Sequence, residues 1–458
     1  MQRVLPATLS LPLHGVEHTR AIERRAAASL PPHTLMRRAG LAVARLAIAV
    51  APHAGRVWVA AGPGNNGGDG LEAAFHLQAA GKRVHVSLLG DAARLPADAA
   101  DALARAQAAG VAIGSMIDAP DGTDIAIDAL LGIGASRAPE GAIGEAIARL
   151  DALAGPVLAV DVPSGLHAGT GQPLGAACVR ARHTLTLLTL KPGLFTAAGR
   201  DHAGTVWFDD LGVNTASDEP DAWLVGADMA RPDARRHAQH KGSFGDVGIV
   251  GGAPGMTGAA LLAARAAHAA GAGRVYVSLL DGSTLSHDSM RPELMFRRDW
   301  WKAPEAVLRG STAVCGCGGG DAVRETLPRL FGAAGRLVLD ADALNAIASD
   351  SKLQTLLRAR ADRDRPTVLT PHPLEAARLL GSDAAQVQAD RLAAAQAIAD
   401  DFGCVVLLKG SGTVVAAPQC APHINGTGSG ALASAGTGDV LAGWLGGRWA
   451  QRSASLDA

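Results

Sequence analysis

The chain has 458 residues, more than one ordinary domain holds and a length that two large α/β domains would fill. Its formal net charge of −1 offers no basic field for nucleic acid or anionic lipid, so neither is expected as a partner. The five cysteines are too sparse for a disulfide framework, and 56 glycines with 3% aromatics suit strand-to-helix turns better than an all-β sandwich.

Residues 15–51 read as helices broken at Pro31-Pro32. The most apolar run, 41–51, carries Arg45 and is too short to cross a bilayer. No leader peptide is evident, so a cytoplasmic protein is expected. Arg56–Ala61 reads as a buried strand, followed by a glycine loop, a helix over 71–80 and a strand over 83–89. That is a βαβ unit. The alternation continues through a helix at 97–109, a strand at 124–131, a helix at 144–153 and strands at 156–161, 184–190 and 204–208. It implies a mostly parallel sheet covered on both faces. The pattern then lapses, so a first domain over 1–213 and a solvated linker over 214–239 are expected. A second domain over 240–458 restarts in the same style. It has a strand at 246–251, a glycine turn at 252–258, a helix at 259–270 and a strand at 274–279. Later strands fall at 336–340, 366–370, 405–408 and 413–416. Cys315 and Cys317 lack a second pair to complete a zinc site and read as small residues in a tight loop.

The densest signal of the first half is Gly62-Pro-Gly-Asn-Asn-Gly-Gly-Asp-Gly70, between strand and helix. Glycines there let backbone approach an anion, and the helix start offers unpaired N–H groups. Taken alone it also reads as a tight Asn-Gly turn. Asp128 and Asp161 close strands, on the ligand side of such sheets. Together with Asp69 they surround the loop with negative charge, which a dinucleotide would tolerate only with a cation present. Asn66, Asp128 and Ser164 offer hard oxygen ligands for one.

In the second half, Gly426-Thr-Gly-Ser-Gly430 precedes Gly436-Thr-Gly-Asp439 at a helix start. The glycines can form a backbone nest for a phosphoryl group, and Asp439 can take a proton from an attacking hydroxyl. An ordinary N-cap is the plainer role for Asp439. Lys409-Gly-Ser-Gly-Thr413 follows a strand and can meet nucleotide phosphate. His372 can be a site residue or cap a turn. Asp340 and Asp342 end a strand.

The first-half motifs, with Leu131-Gly-Ile-Gly134, Val160-Asp-Val-Pro-Ser-Gly165 and Lys191-Pro-Gly-Leu194, resemble the NAD(P)H-hydrate epimerase domain over residues 10–213. The resemblance implies a Rossmann-like three-layer fold and a potassium ion on Asn66, Asp128 and Ser164. It also implies hydrate binding by Asn65, Asn66, Gly67, Gly68, Asp69, the loop Gly132, Ile133, Gly134, Ala135, Ser136, Arg137 and Ala138, and Asp161. Asp161 would move a proton or only position the substrate. The second half is similar to the ribokinase superfamily, and within it to ADP-dependent NAD(P)H-hydrate dehydratases, an α/β/α fold. That implies hydrate contacts from Ala259, Gly318, Gly320, His372 and Asp439, and ADP contacts from Lys409, Gly410, Ser411, Gly412, Thr413 and Gly438. ADP would phosphorylate the C6 hydroxyl with Asp439 as base and magnesium present. AMP and phosphate would be the products.

Three features depart from the family pattern. Cys317 stands where proline is usual, Leu374 where glycine is usual, and 19 residues follow Asp439 (458 − 439), where relatives carry further helix. Two other readings are a ribokinase-type small-molecule kinase fused to a nucleotide-sensing domain, and a non-catalytic dinucleotide-binding scaffold. The sequence sets no oligomeric state, and a homo-oligomer is compatible with it.

Overall fold

A computed structural model describes residues 1–117, 119–230, 234–283 and 285–452. The chain divides into two compact units, residues 1–230 with 423–427, and residues 231–422 with 428–458.

In the first unit, the strand Arg56–Ala61 sends Val57, Val59 and Ala61 into one core and Trp58 and Ala60 into another. Burial on both faces is why the strand is apolar throughout instead of alternating. Helices Thr34–Val50, Asn65–Ala79 and Ala97–Ala108 cover the first face, and Gly141–Asp151 covers the second. The strand order is 2–3, 205–209, 183–187, 157–160, 125–129, 56–61, 83–88, 112–114, parallel except for the first pair. The chain leaves 56–61 toward one edge and returns on its other side at Ile125–Ala129. That reversal opens a crevice at the carboxyl ends of these two strands.

Two expectations need correcting in this unit. The glycine segment is not a loop up to residue 70, because the helix already begins at Asn65. A Cβ on Gly67 would overlap the Gly62 carbonyl, and one on Gly68 would lie 2.8 Å from the Ala99 Cβ. These glycines let the helix pack close to its neighbours. Nor is 214–239 only a linker. It contains the strand Ala222–Leu224, antiparallel to Leu11–Leu13 and parallel to His423–Asn425. Three residues are too few for periodicity to betray them. Residues 231–233 of that stretch lie outside the described residues.

In the second unit the strand order is 295–296, 274–279, 246–251, 311–315, 336–339, 367–369, 405–408, 413–416, with only the last pair antiparallel. Helices Thr257–Ala269 and Thr437–Ala450 pack on Val247, Ile249 and Val314. Helices Val323–Ala333, Asp342–Ala348, Ser351–Ala361, Pro373–Leu380 and Arg391–Phe402 cover the opposite face. The reversal falls between 246–251 and 311–315. Both units are three-layer α/β structures, as expected. Among the described residues no helix is long and apolar enough to cross a membrane.

Candidate active sites

A cavity of about 1000 Å³ opens at the reversal point of the first unit. Asn65, Asn66, Asp69, the whole loop 132–138 and Asp161 line it. Gly67 and Gly68 do not; they face the helix packing instead. Asp161 ends its strand with φ 66°, a left-handed conformation that costs a non-glycine residue about 1–2 kcal/mol. Such strain marks a side chain whose placement matters. The Asp161 carboxylate accepts from Lys191 Nζ and, at 3.1 Å, from the Leu187 backbone N–H. Lys191 is fully buried and also donates to the Leu187 carbonyl at 2.6 Å.

Around this ion pair lie two carboxyls with raised proton affinity. Burial pushes Asp69 well above the ordinary carboxylate range, with the negative charges of Asp161 and Glu23 adding to it. Glu23 is pushed up by burial and by Asp161, while Lys191 and Arg20 pull it back. Environments that drive neighbouring carboxyls apart in this way separate acid from base.

Beneath the cavity, Asp128 and Ser164 are fully buried and bonded to each other. The Ser164 hydroxyl donates to Asp128 at 2.5 Å and its backbone N–H donates at 2.8 Å. Asp128 has no ion pair among the described residues, and burial raises its carboxyl to about 6. The Asn66 side chain lies against Gly132, and its buried Nδ2 has no partner. A buried carboxylate without counter-charge, beside a hydroxyl and an amide, fits a hard monovalent cation.

In the second unit, the carboxyl ends of three strands converge on the start of helix Thr437–Ala450. Lys409 Nζ lies 2.7 Å from Asp340, which also accepts from Thr370 Oγ1 at 2.7 Å. A Cβ on Gly438 would stand 3.3 Å from Lys409 Nζ and 3.7 Å from Asp340 Oδ2, so the helix start lies directly beside this pair. Asp439 is half-buried and faces this cluster. The N-cap of its helix is Gly436, and Asp439 makes no capping bond, which removes the plainer role considered for it. Its side-chain partner is the Cys317 thiol. Burial raises Asp439, the nearby Asp340 raises it further, and Cys317 and Lys409 oppose.

Cys317, Asp340 and Asp439 present ligand atoms within 4.8 Å of one another. Burial pushes the Cys317 thiol far up, so it enters as a neutral donor. His372 is the N-cap of Pro373–Leu380: its Nδ1 accepts from Leu374 and Glu375 N–H, and Glu375 returns the bond. Ala259 lies against Gly318, and Gly320 N–H donates to Asp342 at 2.8 Å. Gly410, Ser411 and Gly412 lie in the turn between the antiparallel strands 405–408 and 413–416, and Thr413 begins the second of these strands. Arg391, buried beneath it, donates to the Leu408 and Lys409 carbonyls at 3.1 and 3.2 Å.

Sequence reasoning gave no role to Glu23, Arg20 or Arg391, and quoted Lys191 only as part of a motif. Glu23 sits in a run of charges on helix Val16–Ser29, where it looks like any solvated residue. The lysine of the motif Lys191-Pro-Gly-Leu194 is the one hint that the sequence offers.

Fold and sites thus define an α/β protein with two separate clusters of proton-handling carboxylates, each at the carboxyl ends of sheet strands. Residues 32–193 match the family of YjeF-related protein N-termini, and residues 247–458 match the NAD(P)H-hydrate dehydratases. The bifunctional NAD(P)H-hydrate repair enzyme of Escherichia coli (strain K12) is 36% identical over 455 residues, covering 95% of this chain and 84% of that one. That of Leishmania braziliensis is 36% identical over 462 residues, covering 93% and 82%. An ADP/ATP-dependent NAD(P)H-hydrate dehydratase from Bacillus subtilis, crystallised with ATP and Mg2+, is 30% identical with a TM-score of 0.39, covering 48% of this chain and 76% of that one. The chain belongs to the bifunctional NAD(P)H-hydrate repair enzymes.

Proposed function

We infer that the chain repairs hydrated NADH and NADPH in the cytoplasm by two reactions, one in each unit. The first unit interconverts the R and S hydrates at C6. The second dehydrates the S form with ADP consumed, giving AMP and phosphate. The observation that carries this reading is the pair of carboxylate clusters, each combining a lysine-paired carboxylate with a proton-holding neighbour at the carboxyl ends of the strands.

In the first cavity, Asn65 and Asn66, Asp69, the 132–138 loop and Asp161 hold the hydrate. C6 is bonded to the ring nitrogen, whose lone pair makes that centre labile. Asp161, fixed by Lys191, moves a proton there. Asn66, Asp128 and Ser164 would hold potassium, which supplies the charge that lets Asp128 stay ionised. In the second unit, Asp439 accepts the C6 hydroxyl proton as the hydroxyl attacks the terminal phosphoryl group of ADP. The N–H groups of Gly436 to Gly438 face the charge that develops, and Lys409 and the 410–413 turn hold the nucleotide. Phosphate then leaves with the C6–O electron pair, pushed by the ring nitrogen, and loss of a proton from C5 forms the C5–C6 double bond and returns the pair to nitrogen. Asp340 and Asp439 are the carboxylates near which a magnesium ion on the ADP phosphates would sit; its role is to neutralise phosphoryl charge.

The test is incubation with chemically hydrated NADH and ADP, ATP or neither. Recovery of dihydronicotinamide absorbance with ADP, and AMP in the products, is expected. A stable phosphorylated hydrate would favour a kinase instead, and no recovery with either nucleotide would remove the dehydratase.

A further inference from the structure

We propose that Glu23, on the helix Val16–Ser29, is the acid of the first site and forms a donor–acceptor pair with Asp161. This rests on the epimerase reading above and deepens it. Residues 16–29 precede the stretch 32–193 that matches the family, yet the helix reaches the same cavity. Arg20 and Glu23, one turn apart and therefore on one face, both line it. Gly134 leaves room for the Arg20 guanidinium, which comes within 2.7 Å of where a Cβ would stand. Arg20 thus lies against the 132–138 loop, and Glu23 lines the cavity beside it. Besides burial, the Asp161 charge raises the proton affinity of both Glu23 and Asp69, and Glu23 adds to that of Asp69. Asp161 is held by Lys191 as the acceptor. Glu23 has no ion pair among the described residues and, with Asp69, is one of two carboxyls there free to carry a proton.

The step balances as follows. Glu23 gives its proton to the C6 hydroxyl oxygen. The C6–O bond breaks with its electron pair on oxygen, and water leaves. The ring-nitrogen lone pair forms the C6–N double bond, a cation that the surrounding carboxylates stabilise. Water adds from the opposite face, a C6–O bond forms, and the pair returns to nitrogen. The proton released by that water passes to Asp161 and returns to Glu23 through the cavity water. No oxidant or further reactant is needed.

The experiment uses the full chain with Glu23→Gln, which keeps shape but cannot donate a carboxyl proton. Epimerisation is followed by chromatography in H218O, above the uncatalysed background. Expected are a fall in kcat of about 10²-fold or more, as for loss of a general acid, an unchanged KM, and loss of catalysed oxygen exchange at C6 in parallel. Dehydration of preformed S hydrate stays at the wild-type rate, which reports that the chain is folded. A kcat within three-fold of wild type overturns the proposal. So does a raised KM at unchanged kcat, which would make Glu23 a binding residue only. Epimerisation lost in the variant without any oxygen exchange in the wild type overturns the water-departure step. Wild-type protein that does not epimerise at all would instead sink the epimerase reading beneath it, so the two failures are distinct.

Discussion

Asp439→Asn is the sharpest single perturbation of the second site. The change keeps volume and removes the capacity to accept a proton. Its stability cost follows from the geometry. Asp439 makes no capping bond, so no cap is lost. A first-turn carboxylate gains about 0.3–1 kcal/mol from the helix dipole. Removing its charge also relieves repulsion from Asp340, the second of the causes that raise its proton affinity. The two effects oppose, and the net change in stability is small. The rate is another matter: loss of a general base costs about 10²–10⁴-fold, or roughly 3–5 kcal/mol of barrier. Three measurements decide it: ADP-dependent dehydration of the S hydrate, ADP affinity by calorimetry, and epimerisation. Dehydration should nearly stop while ADP still binds and epimerisation continues. Dehydration within a few-fold of wild type would refute the catalytic role. Loss of both reactions together would refute two independent sites. The same residue sets a pH dependence. Its affinity for protons is raised, so in the wild type the acid limb of dehydration lies above the ordinary carboxylate range and the rate climbs as pH rises through it.

Asp128 gives a stability prediction. A buried carboxyl at about 6, against ~3.9 unfolded, holds its proton more tightly when folded. The stability this contributes is full below the unfolded value and is lost as pH rises to about 6, a loss of roughly 3 kcal/mol without a cation. Unfolding of the first unit in potassium-free buffer should therefore be easier at pH 7.5 than at pH 5, and potassium should restore it. Asp128→Asn should abolish the potassium response; a response like that of wild type would mean the cation binds elsewhere. Arg391→Met removes the donors to the Leu408 and Lys409 carbonyls, each unsatisfied group costing about 1–3 kcal/mol. The turn should loosen, raising the KM for ADP about tenfold or more with the hydrate KM unmoved; an unmoved ADP KM would show that Arg391 does not shape that turn. Lys191→Met strands Asp161 and should destabilise the first unit by about 3 kcal/mol, with Lys191→Met/Asp161→Asn recovering part of it in thermal melts. Equal melting of the single and double variants would show that the pair is not coupled.

Most of the sheet framework was legible because parallel strands buried on both faces leave continuous apolar runs. Arg56–Ala61, Asp246–Gly251 and Val405–Leu408 were read to the residue. Ser311–Cys315 was missed: it is equally buried but begins Ser-Thr, and its polar start hides it. The helix at Asn65 was read six residues late because Gly67, Gly68 and Gly70 look like loop residues when only propensity is weighed. Their reason is tertiary, the nearness of Gly62, Ala99 and Ala129. The motifs located the cavity lining well, since loop residues at strand ends are local in sequence. Glu23 was illegible for the opposite reason. A glutamate between Ile22 and Arg24 on an amphipathic helix looks solvated until the fold turns that face toward Asp161.

The two sites share one electrostatic arrangement on unrelated motifs. In each, a carboxylate at a strand end is paired with a lysine that is mostly buried: Asp161 with Lys191, Asp340 with Lys409. In each, a strained backbone stands beside the pair, at Asp161 itself and at Ala341 after Asp340. The lysine lets one carboxylate remain charged out of water. That fixed charge then raises the proton affinity of its neighbours, Asp69 and Glu23 in one site and Asp439 in the other. The consequence differs with what is needed. A site that must exchange a hydroxyl between two faces profits from a neighbour that keeps its proton and gives it. A site that must deprotonate a hydroxyl for attack on phosphorus needs a base of raised strength, which Asp439 becomes through burial and, after it, Asp340. The lysines thus act one step away from the chemistry, by deciding which carboxyl in each cluster carries the proton.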